Sequence, residues 1–393
     1  MAELVEPTID PATAGFDLDA LDALRTKVRS LVDEGRMPAA QFAFGVDGQL
    51  AVFESFGTAT PATRFSLFSA TKALVGATAW QLLGEGSLST DTRVIDVIPS
   101  FGTTGRTPEW MASVTLEQVL THTSGFPYAP LSHPRWSTRE GRLEAMSRWH
   151  ASTEPGTVFA YHPTSAHWVV AEMIEAIDGR DYREAVRARV VEPLGLPSFS
   201  LGTPAGQQSD IATLEMVGEL PTYEELAAIF GDFDTSLLDV VTPDALLEFN
   251  DPAVREVGVP GGGGVGTAAD LALFYQALLY NPRGLWDPEV LADATGHIRC
   301  MLPNLMTGVA SNRSLGLIIA GDDGLGAFRG MGPTVSPRAF GHNGAAGQIA
   351  WADPANGLSF GLTTSGIDPH YLREAQRIVS LSSKAGVCRP IPA

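Results

Sequence analysis

Ser69 and Lys72 stand three positions apart near the start of the apolar stretch 65–86 (FSLFSATKALVGATAWQLLGEG). Positions i and i+3 share a helix face, so the hydroxyl and the ammonium can meet within one turn. The spacing supplies a nucleophile and a possible base. Beyond Lys72 no formal charge follows until Glu85, so a helix here must be buried on most sides. Burial strips the ammonium of water and the positive end of the helix dipole opposes its charge, and both lower its pKa below the free value of about 10.4. A neutral amine could then take the proton from Ser69. A serine that merely caps a helix ahead of an ordinary lysine has the same spacing, so the chemistry needs further residues.

The elements that must position this pair can be read in order. Leu18, Leu21, Leu24, Val28, Leu31 and Val32 recur at helical spacing and stop at Gly35, a residue suited to the left-handed position after a helix end. Residues 41–46 and 49–56 read as strands joined by Asp47-Gly48, a two-residue hairpin signal. From 87 to 258 strand patterns disappear and helix starts take over, at Thr115 with Gln118 and at Asp181 with Glu184. Helices are expected over 165–177, ended by Gly179, and over 182–191 before Pro193, while 206–259 has no clear pattern. The glycine run 261–264 lacks the Lys-Ser/Thr of a phosphate loop and reads as a tight turn before a helix starting at Thr267. Strand character returns at 314–320, 347–352 and 358–364, and a helix over 369–382 follows.

Composition bounds the function. The chain has 393 residues, 44% of them hydrophobic, enough for one large domain or two sharing a core. A net charge of −19 without a basic run argues against nucleic acid or an anionic membrane surface as partner. Glu3, Glu6 and Asp10 fall where a signal peptide needs a basic start, and no apolar run could span a bilayer, so a cytoplasmic protein is expected. Cys300 and Cys388 are the only cysteines and are read as free thiols. His162 and His167 resemble a metal pair, but nothing supplies a third ligand, and neither metal nor cofactor is expected. Oligomeric state is not legible.

Three further patterns join Ser69 and Lys72: Leu120-Thr121-His122-Thr123-Ser124-Gly125, Tyr161-His162-Pro163 after the turn Glu154-Pro155-Gly156, and Gly341-His342-Asn343-Gly344 entering a strand. In this order they resemble the serine beta-lactamase and penicillin-binding-protein superfamily, specifically its class C-like branch, the family VIII carboxylesterases. The resemblance covers roughly residues 18–366. It implies an α+β fold, an antiparallel sheet flanked by helices, with residues 1–88 and 259–393 forming the sheet domain and 89–258 an inserted, mainly helical domain. It also implies that Ser69 is acylated, that Lys72 activates it, that Tyr161 is the general base, and that the backbone N–H groups of Ser69 and Ala345 hold the oxyanion. His342, Asn343 and Gly344 would border the substrate. Phe126, Tyr128 and Trp136 are candidates to line the acyl pocket, although each reads equally well as a core or surface aromatic. The His122 segment is implied to be a structural turn without a catalytic role.

A phenol is a poor base at neutral pH unless a cation stabilises its anion, and Lys72 is the cation at hand. The two would titrate as a coupled pair. Superfamily lactamases and peptidases usually carry Tyr-x-Asn and Lys-Thr-Gly, whereas this chain has Pro163 and His342 at those places. Proline offers no donor to a substrate amide, and histidine is mostly neutral at pH 7, so a small uncharged ester is the expected partner. A beta-lactamase or D-amino-acid peptidase, an acyltransferase using the same residues, and a binding protein without activity are the alternatives. No Gly-x-Ser-x-Gly occurs, so the alpha/beta-hydrolase route to an esterase is excluded.

Overall fold

The structure, a computed structural model, describes residues 5–225 and 241–391. Its largest sheet takes two strands from the first sixth of the chain, β1 (Ala39–Val46) and β2 (Gln49–Gly57), and four from the last quarter, β3 (Ile318–Ile319), β4 (Phe340–Gly341), β5 (Ile349–Asp353) and β6 (Leu358–Thr364). The order is β2-β1-β6-β5-β4-β3 and every pairing is antiparallel. Asp47 and Gly48 both have positive φ, 51° and 76°, the conformation whose twist matches a two-residue hairpin.

Strand alternation explains how helices cover both faces. Phe42 and Phe44 of β1 share a face with Leu362 and Phe360 of β6, and the Phe44 and Phe360 rings lie 4.8 Å apart. That aromatic face packs against α1 (Leu18–Asp33) and α5 (Tyr371–Gly386). The opposite face carries Ala43 and Gly45 across from Gly361 and Ser359. It receives α4 (Ala268–Tyr280) so closely that a Cβ at Gly361 would lie 2.5 Å from the Ala268 carbonyl. Small residues on one face thus admit the close approach of α4, while phenylalanines on the other fill the layer beneath α1 and α5.

Between the two groups of strands the chain is mainly helical. The centre is α2 (Thr71–Gly84), buried from Thr71 to Leu82 and packed against α3 (Ser165–Asp178). Two indoles clamp it: Trp286 Nε1 donates to the Ala77 carbonyl and Trp80 Nε1 to the Leu315 carbonyl. Capping boxes form at Thr115/Gln118 and at Thr267/Asp270. Asp181 instead caps Arg183 N, while Glu184 turns to Arg187, so the expected box there is absent.

Two expected elements come out differently. The helix from Tyr182 loosens into a π turn over Arg187–Val191 and runs through Pro193. Pro193 has no N–H for the Arg189 carbonyl four residues back, and that carbonyl accepts from Gln81 Nε2 instead. The strand expected over 314–320 shrinks to Ile318–Ile319, because Ser314 to Leu317 turn tightly over α2 with Gly316 at φ 91°. Of the unplaced segment 206–259, residues 226–240 lie outside the described residues. The rest holds short helices, Pro243–Leu247 and Pro252–Val257. Cys300 and Cys388 are both free and buried, and no described helix is long and apolar enough to cross a membrane.

Candidate active site

Ser69 is delivered by a strand end. Phe65–Ser66 pairs with Gly264–Gly266, and Leu67 N donates to the Gly264 carbonyl. Phe68 then takes φ 46°, a left-handed conformation that a phenylalanine holds only when its surroundings impose it. Its ring is pinned 5.3 Å from that of Phe249, among Leu214, Leu246, Ala346 and Ile367. The chain next makes one 3₁₀ turn, Phe68–Ala70, before α2 begins at Thr71. Ser69 therefore sits in the turn ahead of the helix and not at its cap, half-exposed, with fully buried Lys72 below it.

Lys72 Nζ lies 3.0 Å from Ser69 Oγ, 2.8 Å from the Pro163 carbonyl and 2.6 Å from the Gly261 carbonyl. Tyr161 Oη lies 2.7 Å from the same Ser69 Oγ. Carbonyls only accept, so two N–H groups of Lys72 are committed to them. What remains toward Ser69 is either a third N–H or a lone pair. Two proton arrangements hence fit the same heavy atoms: ammonium with phenolate, Ser69 donating to Tyr161, or amine with phenol, Ser69 donating to Lys72. Burial lowers the Lys72 pKa, only partly opposed by Tyr161. Burial alone would raise the Tyr161 pKa, but the charges of Lys72 and Arg313 override it and the net shift is downward.

Arg313 escaped the sequence reading. It is 8% exposed, and its guanidinium lies 5.4 Å from the Tyr161 ring and 5.3 Å from that of Phe159. The available signal was a single cation between Arg299 and Arg329, directly before the apolar run 315–320. Its Nη1 is 3.2 Å from His342 Nε2. An arginine cannot accept, so Nε2 must, and the His342 proton sits on Nδ1, 2.9 Å from the Asn343 carbonyl. Burial, reinforced by Arg313, holds the His342 pKa well below its ordinary value. Its backbone N–H donates to Tyr275 Oη of α4.

The remaining candidates divide. The Asn343 amide is spent within the fold, Nδ2 on the Gly330 carbonyl and Oδ1 accepting from Ala350 N, so its side chain holds the loop. Gly344 presses against the segment leading into Ser69: a Cβ there would be 2.2 Å from the Leu67 carbonyl. Ala345 and Ala346 belong to one apolar cluster with Phe68, the residue before Ser69. Phe126 is core, 5.6 Å from Phe101 and 5.1 Å from His162 by ring centroids, whereas Tyr128 is 66% exposed. Both border a cavity of about 290 Å³ with Trp149 and His150, and neither Ser69 nor Tyr161 lines it. Trp136 stands on the turn Arg135–Ser137, partly buried against the helical core.

His122, at φ 60°, places its ring 4.7 Å from that of Tyr161, and its Nδ1 accepts from His162 N. His162 Nε2 accepts from Phe126 N, which puts the ring's one proton on Nδ1, donating to the Ala160 carbonyl. Among the described residues no group of three or more His, Cys, Asp or Glu side chains could hold a metal ion.

Ser69 Oγ thus lies within hydrogen-bond reach of both Lys72 and Tyr161. The family model Beta-lactamase matches residues 24–381. The chain belongs to the Beta-lactamase family. It is a hydrolase of the beta-lactamase fold, within the serine beta-lactamase and penicillin-binding-protein superfamily. Its curated relatives include "Esterase/beta-lactamase LipL" of Mycobacterium tuberculosis (strain ATCC 25618 / H37Rv), 27% identical over 75% of this chain and 68% of that protein. "Penicillin-binding protein 4" of Amycolatopsis lactamdurans is 30% identical over 54% of this chain, and the match spans about half of the relative, 55%. Among solved structures, a penicillin-binding-protein homologue from Caulobacter crescentus superposes with TM-score 0.77 at 26% identity, covering 93% of this chain and 97% of that one. A family VIII carboxylesterase superposes with TM-score 0.72 at 22% identity over the same shares, a likeness of fold.

Proposed function

We propose that this family member is a carboxylesterase of the family VIII type, working through an acyl-enzyme on Ser69. The observation that carries the reading is the contact chain Lys72–Ser69–Tyr161, at 3.0 and 2.7 Å. In the ammonium–phenolate arrangement Ser69 gives its proton to Tyr161 as its oxygen attacks the ester carbonyl carbon, and Tyr161 passes that proton to the departing alkoxide. Water then attacks the acyl carbon along the same route, losing a proton to Tyr161, and as the Ser69 ester bond breaks Tyr161 returns that proton to Ser69 Oγ, releasing the acid and restoring the phenolate. Lys72 keeps the phenolate charge balanced throughout. The oxyanion is held by Ser69 N–H, in a first turn where helix N–H groups have no intrahelical acceptor, and by Ala345 N–H across from it.

A neutral ester suits this site better than a lactam. Pro163 offers no side-chain donor for an amide, and neutral His342 cannot pair with a substrate carboxylate. The name of the mycobacterial relative favours a second reading, residual beta-lactamase activity at the same serine. Intact mass after brief exposure to p-nitrophenyl butyrate, with the adduct mapped to its peptide, tests the assignment. A butyryl increment on the peptide holding Ser69, absent in Ser69→Ala, is the expected result; an adduct that survives the substitution refutes it. Nitrocefin turnover beside ester turnover ranks the two readings.

A further inference from the structure

We infer that Arg313 is a positioning residue for Tyr161: stacked on the ring, it shares with Lys72 the task of holding the tyrosine's negative charge. The inference rests on the proposed role of Tyr161 as proton acceptor. Three observations carry it. First, Phe159 and Tyr161 are two residues apart and present their rings to one guanidinium, at 5.3 and 5.4 Å, the arrangement of a planar cation seated on aromatic faces. Second, that guanidinium is buried without an acid. Among the described residues Arg313 joins no ion pair with a carboxylate; its Nη1 meets neutral His342 at 3.2 Å and its Nε has no hydrogen-bond partner.

A buried cation is costly to retain unless some charge answers it. The groups facing Tyr161 are Lys72 from α2, His122 from the turn after residues 116–120, His342 from the loop after β4, and Arg313. All can only be positive or neutral, so in this ring of groups Tyr161 is the one able to become an anion. Cys300, whose backbone bridges Arg313, carries the other titratable side chain beside it. It is buried and accepts from Ser311 Oγ.

Third, the arginine is fixed from both sides. Its backbone forms a two-way bridge with Cys300, N to O at 3.0 Å each way, while His342 receives Nη1 with its own proton tied to the Asn343 carbonyl. His342 thereby serves as an orienting acceptor for Arg313. Protonating it would set two cations against each other.

The test is the pH profile of kcat/KM for p-nitrophenyl butyrate in the full-length wild type, Arg313→Lys, Arg313→Met and Arg313→Gln. A unit charge about 5 Å from a phenolate at an effective dielectric near 20 moves its titration by about one to two pH units after allowance for solvent. The acidic limb should therefore rise by about one to two units in the Met and Gln enzymes. Activity below the limb should fall about 10- to 100-fold and recover toward wild type above it. Arg313→Lys should stay within about half a unit, because it keeps the charge. The inference is overturned if the limb stays put while the rate drops at every pH, if Lys shifts it as far as Met, or if neither neutral variant folds cooperatively by circular dichroism, since each outcome means packing alone. Mapping the Ser69 adduct in the wild type and assaying Tyr161→Phe keep the two readings separate. No Ser69 adduct, or full activity in Tyr161→Phe, defeats the underlying assignment, whereas both intact with an unmoved limb defeat only Arg313.

Discussion

Gly344→Ala puts one methyl group where the loop between β4 and β5 meets the segment leading into Ser69. The new Cβ would stand 2.2 Å from the Leu67 carbonyl oxygen, 2.9 Å from Gln348 Cβ and 3.0 Å from its Cγ, whereas real Cβ contacts essentially never fall under 3.0 Å. Gly344 does not hold a left-handed φ, so alanine is allowed by its own backbone and the collision is the only new term. Relief requires roughly 1 Å of separation, and a reacting geometry displaced by that much can lose about 100-fold in rate. If Ala345 N–H is the oxyanion donor, its loss alone costs about 100- to 1,000-fold in kcat. KM should barely change, because the donor acts on charge that develops only in the transition state. Overpacking should also remove about 1 to 3 kcal/mol of stability. Steady-state ester hydrolysis well below the urea midpoint of the variant, with the midpoint itself measured, separates the two effects. A variant with kcat within about threefold of wild type would refute the placement of the donor at Ala345.

Lys72→Ala, Tyr161→Phe and the double variant should each lose about 100- to 10,000-fold, the double no more than the worse single, because they share one proton; losses that multiply in the cycle mean independent action. His162 is kept neutral by burial, only partly opposed by its hydrogen bond to Ala160, with its pKa lowered from 6.5 to about 4. The unfolded chain takes up that proton below about pH 6.5 and the folded chain only near 4, so the stability is whole above 6.5 and is lost as pH falls toward 4. The unfolding free-energy difference between wild type and His162→Gln should shrink by about 2 to 3 kcal/mol from pH 7 to pH 4.5; a constant difference in urea titrations contradicts this. Pro163→Asn keeps the carbonyl that receives Lys72 and adds an amide donor, so the nitrocefin-to-ester ratio of kcat/KM should rise about two- to tenfold. A ratio that falls or stays level would assign the preference to pocket shape.

The helices and strands that were legible have periodic residues and a local stop signal. Leu18–Asp33 ends before Gly35 at φ 71°, and the 47–48 hairpin has the positive φ pair its sequence demands. The Ser69, Lys72 and Tyr161 contacts were legible because the spacing of the first two is local and the third sits in an ordered set of motifs. Arg313 was not, since its meaning lies in partners from two other segments, Phe159–Tyr161 and His342, and no local rule joins them. The same reason hid Asn343, whose amide is used by Gly330 and Ala350. Pro193 misled in the opposite way: a local rule ended the helix, and a distant side chain, Gln81, removed the conflict.

The pairing of β1 with β6 also sets an order of events during synthesis. Ala43 and Gly361 face each other across the middle of the sheet although more than 300 residues separate them along the chain. At about 5 to 20 residues per second, β1 waits roughly 15 to 60 s for its partner to be made. Throughout that interval the β1–β2 hairpin presents an unpaired edge flanked by Phe42 and Phe44, residues that end fully buried. Such an edge is a template for other nascent chains. Yield on expression should therefore respond to chaperones and to slower growth more than a melting temperature would suggest, and a chain cut short before β6 leaves the ribosome with its sheet open down the centre.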